Sequence, residues 1–253
     1  MESFSRDAKR SAIAMQPHNN NRMDEALYPA PPPDAILDKL GPIIREKVIV
    51  EDRTFIIDHP TDSDRLLDNA AVRTAFSKDE YMPYWTDIWP ASRMLAKAIL
   101  HETWTPGTEA LEVGCGLGLS GISALAMGLK VTFSDYDPCA LRFASDNAKL
   151  NGFTNFTTML LDWRAPPEDW KVPVILAADL IYEMRNLTPL IAFIKKLLQP
   201  GGVCLLTDVD RVPHHAFREA LQNERLPFTM KKMKAGEPGG RKYVGTLYRI
   251  SGE

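Results

Sequence analysis

The sequence predicts an α/β protein: a Rossmann-like, doubly wound sheet of seven strands, mostly parallel, with an antiparallel C-terminal strand and a small N-terminal β appendage. From about residue 80 onward, apolar runs of strand length alternate with segments of helical periodicity. This alternation is typical of a parallel sheet with helices on both faces. The last two strand-like runs, 228–233 and 243–250, flank a loop containing Gly and Pro, which predicts an antiparallel hairpin.

The first 80 residues divide into two segments. Residues 1–36 contain an asparagine run, a cluster of prolines and few large apolar side chains, so we expect a flexible tail. Residues 37–80 form the expected β appendage. Within it, two β-branched runs in 47–57 flank a polar centre and predict a small hairpin. A short helix is expected over 62–76.

The segment 81–253 carries the strand–helix alternation of the main domain. Helices are predicted between its strands. Pro90 suits the first position of one helix, Gly152 the end of another, and Thr188 the N-cap of a third. Five apolar runs suit buried parallel strands, namely 111–113, 131–134, 158–161, 174–177 and 203–207.

Composition excludes several classes of protein. The 253 residues include 30 Lys and Arg against 33 Asp and Glu, which gives a net charge of −3. Without a basic excess we expect no nucleic-acid partner. The uncharged stretch 113–129 is interrupted by glycines and serines, so no membrane span is expected. Three cysteines without a CxxC pair predict neither disulfides nor a metal site, and we expect a cytoplasmic monomer without a secretory signal.

A glycine-rich loop follows the first strand of the main domain. Residues 110–121 read Ala-Leu-Glu-Val-Gly-Cys-Gly-Leu-Gly-Leu-Ser-Gly. The spacing of Gly114, Gly116 and Gly118 lets the backbone turn tightly and approach a ligand with no Cβ in the way. The N–H groups at the start of the next helix favour electron-rich ligand atoms. By itself, this loop fits both a nicotinamide dinucleotide and a methyl donor.

Acidic residues follow the next two strands. Asp135 ends the second strand, where a carboxylate can accept hydrogen bonds from both ribose hydroxyls of an adenosine ligand. After the third strand, Asp162 and Trp163 form a pair in which the indole suits the face of an adenine ring. The Asp162 carboxylate can accept from the exocyclic amine. These residues predict a site for an adenosine-containing ligand.

The fourth strand ends at Asp179, and Tyr182 follows three residues later. The carboxyl edge of an open α/β sheet is where ligands bind, and one helical turn would bring both side chains to the same side. Just ahead of the Pro90 helix, residues 81–89 contain four aromatic side chains. They either pack in the core or cover a ligand, where their ring faces would meet a cation.

Taken together, these motifs resemble a known family. The glycine loop, Asp135 and the Gln-Pro-Gly-Gly segment at 199–202 resemble the seven-β-strand class of S-adenosylmethionine-dependent methyltransferases. Three further segments are similar to methyltransferase family 16: Trp-Pro-Ala-Ser at 89–92, Leu-Asp-Trp at 161–163 and Asp-Leu-Ile-Tyr at 179–182. Most studied members of that family are protein-lysine methyltransferases.

The resemblance covers about residues 46–250 and implies S-adenosylmethionine as cofactor and a protein partner that carries the target lysine. It implies that Asp179 and Tyr182 are catalytic residues beside the acceptor nitrogen. Gly118 and Asp162 are also expected in the cofactor site, because of the glycine spacing and the adenine contact described above. The residues that the resemblance itself places around the cofactor are Trp89, Gly114, Cys115, Gly116, Asp135, Trp163 and Ala178.

Three other functions stay open at this point. A small-molecule N-methyltransferase would share the cofactor half of the site. An NAD-dependent oxidoreductase would share the glycine loop and Asp135, but the segments 161–163 and 179–182 argue against it. An inactive cofactor-binding protein would keep the fold, and the presence of both Asp179 and Tyr182 argues against that reading.

Overall fold

The computed structural model describes residues 30–31, 33–61, 63–211, 213–236 and 239–252. Residues 1–29 of the expected tail lie outside this description. A short helix, α1 (Pro33–Leu37), lies where the tail was expected to end, and its Ile36 side chain is fully buried. The folded domain therefore includes the last residues of that segment, because Ile36 packs in a cluster with Leu66 and Val72.

The N-terminal appendage contains the predicted hairpin. Strand β1 (Ile43–Val50) pairs with β2 (Arg53–Pro60) in an antiparallel two-stranded sheet. The expected helix over 62–76 divides in two, since a 3-10 helix (Ser63–Asp68) precedes α2 (Ala70–Asp79). The division falls at Asn69, whose side-chain oxygen accepts a hydrogen bond from a first-turn N–H and caps α2.

The main sheet confirms the predicted fold class. Its strand order is β5-β4-β3-β6-β7-β9-β8 within the described residues. Neighbouring strands are parallel from β5 to β7, and β9 is antiparallel to both β7 and β8. The strands are β3 (Glu109–Val113), β4 (Lys130–Asp135), β5 (Thr157–Leu160), β6 (Val172–Ala178), β7 (Leu198–Asp208), β8 (Phe228–Gly236) and β9 (Lys242–Ser251).

Helices cover both faces of this sheet. One apolar cluster includes side chains of α3, α4 and α5, and a second cluster on the other face includes side chains of α6 and α7. No helix in the described part of the chain is long and apolar enough to cross a membrane. The helices are α3 (Pro90–His101), α4 (Leu119–Ala126), α5 (Pro138–Leu150), α6 (Met184–Leu197) and α7 (His214–Asn223).

Strand β6 shows why the sequence of a buried strand is an unbroken run of apolar residues. Val174 and Leu176 belong to the first cluster, whereas Ile175 and Ala177 belong to the second. Successive side chains of a strand point to opposite faces, so a strand buried on both sides has no polar positions. The unbroken apolar run therefore follows from the helix layer on each face.

Two of the three predicted helix boundaries are confirmed. Pro90 is the first residue of α3, and Gly152 follows α5 with a left-handed φ of 84°. The predicted cap at Thr188 is wrong, because α6 begins at Met184 and runs through this position. Leu187, one residue earlier, is buried in the second cluster, and its packing extends the helix N-terminally beyond what local signals predict.

The hairpin is joined to the main domain through two amide side chains of α5 and its C-cap. The backbone N–H of Ile56 donates to Asn151 Oδ1, and that of Asp58 donates to Asn147 Oδ1, each at 2.8 Å. Both amides also donate back to the carbonyls of the same two β2 residues. The open edge of β2 is therefore satisfied within the chain, which removes a template for pairing with another molecule.

The buried position of α1 makes a testable prediction. We expect Ile36→Val to lower the free energy of unfolding by about 0.5–1.5 kcal/mol, because it removes one methylene from a closed cluster. Ile43→Val is the matched control, since Ile43 is 46% exposed and the same change should have almost no effect. Chemical denaturation measures both. Equal small effects would show that α1 does not pack on the domain.

Candidate functional site

A cavity of about 430 Å³ lies at the carboxyl ends of β3, β4 and β6. Its size falls in the range of small-molecule sites. Within the described ranges, no group of three or more His, Cys, Asp or Glu side chains could hold a metal ion. The sequence-predicted residues that line the cavity are Trp89, Gly114, Cys115, Gly116, Gly118, Asp135, Trp163, Ala178, Asp179 and Tyr182.

The glycine loop between β3 and α4 forms one wall of the cavity. Gly114 and Gly116 have left-handed φ values of 61° and 51°, which glycine adopts without strain. A Cβ on Gly114 would lie 2.7 Å from a terminal methyl group of Leu180, so the Leu180 side chain would have to move to make room for it. The backbone can therefore approach a ligand at this point as closely as the sequence argument requires.

Asp135 is held in place by the loop that it faces. Its Oδ2 accepts a hydrogen bond from Gly116 N at 3.0 Å, and its Oδ1 accepts one from Asp137 N at 3.0 Å. Burial raises the pKa of Asp135 to about 7, although these N–H groups favour the charged form. Each carboxylate oxygen can accept more than one hydrogen bond, so both stay available to hydroxyl groups in the cavity.

Trp163 and Asp162 have different surroundings, although they are adjacent in sequence. Trp163 lines the cavity, is 7% exposed, and its Nε1 has no hydrogen-bond partner among the described residues. Asp162 does not line the cavity. Its carboxylate contacts the Arg164 guanidinium, with Oδ2 at 2.8 Å from Nη2, and Arg164 also reaches Asp79. Asp162 is thus the one predicted site residue outside the cavity lining, although it shares a neighbouring pocket with Trp163 and Tyr182.

The aromatic segment ahead of α3 both packs in the core and borders the cavity. Tyr81 is buried and donates its hydroxyl proton to Asp137, away from the site. The Tyr84 ring stands edge-on to Trp89 at 5.9 Å and to Tyr182 at 5.4 Å between centroids. Trp89 Nε1 donates to the Tyr84 carbonyl at 2.6 Å, which fixes the indole orientation. Tyr84 and Trp89 thus present aromatic ring faces and edges to the cavity.

Asp179 follows the last residue of β6 and has a left-handed φ of 62°, a strained value for a residue with a side chain. Its N–H donates to the Thr207 carbonyl of the neighbouring β7 at 2.9 Å, which holds this conformation. The carboxylate is 8% exposed. Burial raises its pKa, and the guanidinium of Arg211 opposes that rise. Burial likewise raises the pKa of Tyr182, which keeps its phenol protonated.

Two functional candidates escaped the sequence analysis. Arg211 lines the cavity and forms two hydrogen bonds to Asp179, of 2.5 and 3.0 Å, although the residues are 32 positions apart. No local pattern signals such a pairing. Glu112 also lines the cavity, accepts from Gly121 N at 3.0 Å, and has its pKa raised by burial to about 8. Its position two residues before Gly114, between the apolar side chains of Leu111 and Val113, was an available signal.

Curated proteins of known activity match part of the chain. The ribosomal protein L11 methyltransferase of Photobacterium profundum is 35% identical over 104 residues, covering 41% of this chain and 34% of that protein. The histone-arginine methyltransferase METTL23 of Rattus norvegicus is 28% identical over 130 residues, covering 47% of this chain and 56% of that protein. The chain thus spans between a third and just over half of these relatives.

Solved structures share the fold. The magnesium protoporphyrin IX methyltransferase of Synechocystis PCC 6803, solved with bound S-adenosylmethionine, matches with a TM-score of 0.52 at 16% identity. The match covers 63% of this chain and 77% of that one. The sheet order and the glycine-loop cavity, with this likeness, define the class as a Rossmann-like methyltransferase fold.

A family described as lysine methyltransferase matches residues 76–223, more than half of the chain, and the chain belongs to this family. Its methyl donor is S-adenosylmethionine. The resemblance found in the sequence is therefore confirmed. The choice that the glycine loop left open, between a nicotinamide and a methyl donor, is decided for the methyl donor.

Proposed function

We propose that this chain transfers a methyl group from S-adenosylmethionine to a lysine side chain of a protein. The observation that carries the proposal is the position of Asp179 and Tyr182, which line the same cavity as the glycine loop and Asp135. The family to which the chain belongs supports a lysine acceptor. The relatives named for ribosomal protein L11 and for histones support a protein as its carrier.

The donor half of the cavity fits an adenosine-containing ligand. Asp135 is oriented by two backbone N–H groups and would accept hydrogen bonds from the ribose hydroxyls. The face of Trp163 would pack on the adenine ring, and its buried, unpartnered Nε1 is suited to a polar ligand atom. Gly114, Gly116 and Ala178 present little side chain there, so the ligand can lie against the backbone.

The acceptor half of the cavity would orient an amine and then stabilise a cation. When bound, S-adenosylmethionine supplies a methyl group on a positively charged sulfur. A lysine amine has an ordinary pKa near 10.4, so it must lose a proton to water before it can form the new N–C bond. Asp179 would accept a hydrogen bond from the neutral amine and Tyr182 would fix its direction. The rings of Tyr84 and Trp89 would face the methylated ammonium.

An arginine side chain is the second candidate for the acceptor. A guanidinium, that of Arg211, already lies between Asp179 and the Trp89 ring, so the site accommodates this group. A relative named as a histone-arginine methyltransferase agrees with that chemistry. The two acceptors give different products and one experiment separates them.

That experiment incubates the protein with methyl-tritiated S-adenosylmethionine and either a dialysed cell lysate or a small-molecule extract. We expect label in acid-precipitable protein and, after hydrolysis, in methyl-lysine. Recovery as methyl-arginine would move the acceptor to arginine. Label confined to the small-molecule extract would assign the chain to the small-molecule N-methyltransferases. Label in neither fraction would contradict the proposal and favour a binding protein without activity.

Trp163→Ala is expected to weaken S-adenosylhomocysteine binding about tenfold and to lower the melting temperature, because the indole belongs to both the cavity and the second apolar cluster. Trp163→Phe should recover part of the affinity. Trp170→Ala is the matched control, since Trp170 packs on the same cluster without lining the cavity. Calorimetry and thermal melts measure both quantities. Unchanged affinity in Trp163→Ala would remove Trp163 from the cofactor site.

A further inference from the structure

The Arg211 guanidinium lies where the methylated cation is expected. Both of its terminal nitrogens contact the two Asp179 carboxylate oxygens, at 2.5 and 3.0 Å. Its central carbon lies 5.7 Å from the Trp89 ring centroid. A carboxylate on one side and a ring on the other are the two features that a cationic acceptor would use in this cavity. Arg211 therefore fills the acceptor half with a group of the acceptor's own charge.

The backbone of Arg211 is anchored, whereas its side chain extends into the cavity. Its N–H donates to Asp208 Oδ1 at 3.1 Å. Its neighbour Asp210 accepts hydrogen bonds from Lys232 Nζ at 2.7 Å and Thr246 Oγ1 at 2.6 Å. The Arg211 side chain is 32% exposed, while that of Asp179 is 8% exposed. A half-exposed arginine can turn out to water by side-chain rotation while the loop stays in place.

The pairing has an energetic reason in the acceptor-free protein. A buried carboxylate without a partner is strongly unfavourable, and Asp179 is nearly buried. Arg211 removes that cost when no acceptor is bound. An incoming cation would form the same type of contact, so exchange of one cation for the other leaves Asp179 paired throughout. Binding of the acceptor is then weakened by the affinity of Arg211 for the site.

We propose that Arg211 is an internal occupant of the acceptor site, which the acceptor cation displaces from Asp179 and Trp89. The inference rests on the proposed role of Asp179 beside the acceptor nitrogen. It assigns Arg211 as a positioning residue: it keeps Asp179 oriented in the resting protein and selects for acceptors that bring a positive charge to replace its own. A lysine would arrive as an ammonium, replace Arg211 beside Asp179 and lose its proton to water before it reacts. An acceptor that carries no positive charge on arrival could not take over the ion pair and would be excluded.

Sinefungin tests this without a known acceptor. It is an analogue of S-adenosylmethionine in which an amine-bearing carbon replaces the methylated sulfur, so its ammonium takes the place of the methyl group and would extend from the donor half toward Asp179. S-adenosylhomocysteine lacks that charge. In Arg211→Ala we expect sinefungin to bind about tenfold more tightly, which corresponds to about 1.4 kcal/mol, with S-adenosylhomocysteine unchanged within about twofold. Isothermal titration calorimetry measures both ligands.

Two further variants make the comparison specific. Arg185→Ala removes another arginine, which pairs with Glu183 and Glu80 and does not line the cavity, and should change neither affinity. In the double variant Arg211→Ala/Asp179→Asn, the gain in sinefungin affinity should be abolished, because that gain depends on the Asp179 carboxylate that Arg211 no longer occupies. Thermal melts establish that each variant is folded.

Three results would overturn the proposal. Unchanged or weaker sinefungin binding in folded Arg211→Ala overturns the proposal, as does an equal change for both ligands, since Arg211 would then belong to the donor half. A gain that persists in the Asp179→Asn background overturns it as well. The binding measurement does not depend on methyl transfer. A lysate that accepts no label would refute the proposed function, whereas the sinefungin result would still test the role of Arg211.

Discussion

Replacing Asp179 by asparagine is expected to lower the rate of methyl transfer at least about a hundredfold, the usual lower size for loss of a group that acts on the reacting amine. The dissociation constant for S-adenosylhomocysteine should change less than about threefold, because in our proposal Asp179 acts on the acceptor and not on the donor. Asparagine tolerates the left-handed φ of 62° at this position, so the backbone has no reason to rearrange. Initial rates with labelled lysate and calorimetry provide the two measurements.

Asp210→Asn is the matched control for this prediction. Asp210 also has a left-handed φ, of 57°, lies just past the end of the neighbouring strand β7, and contacts Lys232 and Thr246 instead of the cavity. It should keep close to the parent rate. An equal loss of donor affinity and rate in Asp179→Asn would place Asp179 in the donor half and contradict our division of roles.

Replacing Asp135 by alanine is expected to weaken S-adenosylhomocysteine binding by about 1.5–3 kcal/mol, or about ten- to hundredfold, because hydrogen bonds to a charged group are lost. The same change leaves the N–H groups of Gly116 and Asp137 without their acceptors, so some stability is lost as well. Calorimetry therefore has to be done below the melting temperature of the variant.

Asp137→Ala distinguishes these two effects. Asp137 is also buried, caps α5 by accepting from Cys139 N at 2.7 Å, and does not line the cavity. Loss of the cap should lower stability by about 0.5–2 kcal/mol, the buried Tyr81 hydroxyl left without its acceptor should lower it further, and the affinity should be spared. If Asp137→Ala and Asp135→Ala weaken binding equally, the effect of Asp135 is indirect and the ribose assignment fails.

Much of the cavity lining could be predicted from sequence, because its signals are local. A parallel strand ends at the same edge as its neighbours, so residues that follow successive strands meet there whatever the helices between them contain. Asp135, Trp163 and Asp179 were located in this way and all line the cavity. Gly114 and Gly116 were located because their spacing predicts a tight turn that a ligand can approach closely. Glycine suits such a turn, since it adopts a left-handed φ without strain and has no Cβ.

The sequence by itself therefore determined the fold class and the edge of the sheet at which the cavity lies, and it predicted site residues that, except for Asp162, line this cavity. Tertiary structure decided which charges meet. Asp162 pairs with Arg164, and Asp179 pairs with Arg211, and no motif marks either pairing. The physical reason is that an arginine side chain is long and pairs through space: Arg164, two residues from Asp162, also reaches Asp79, which is 85 positions away, and Arg211 reaches Asp179 across 32 positions. Such pairs leave no periodic pattern in the chain.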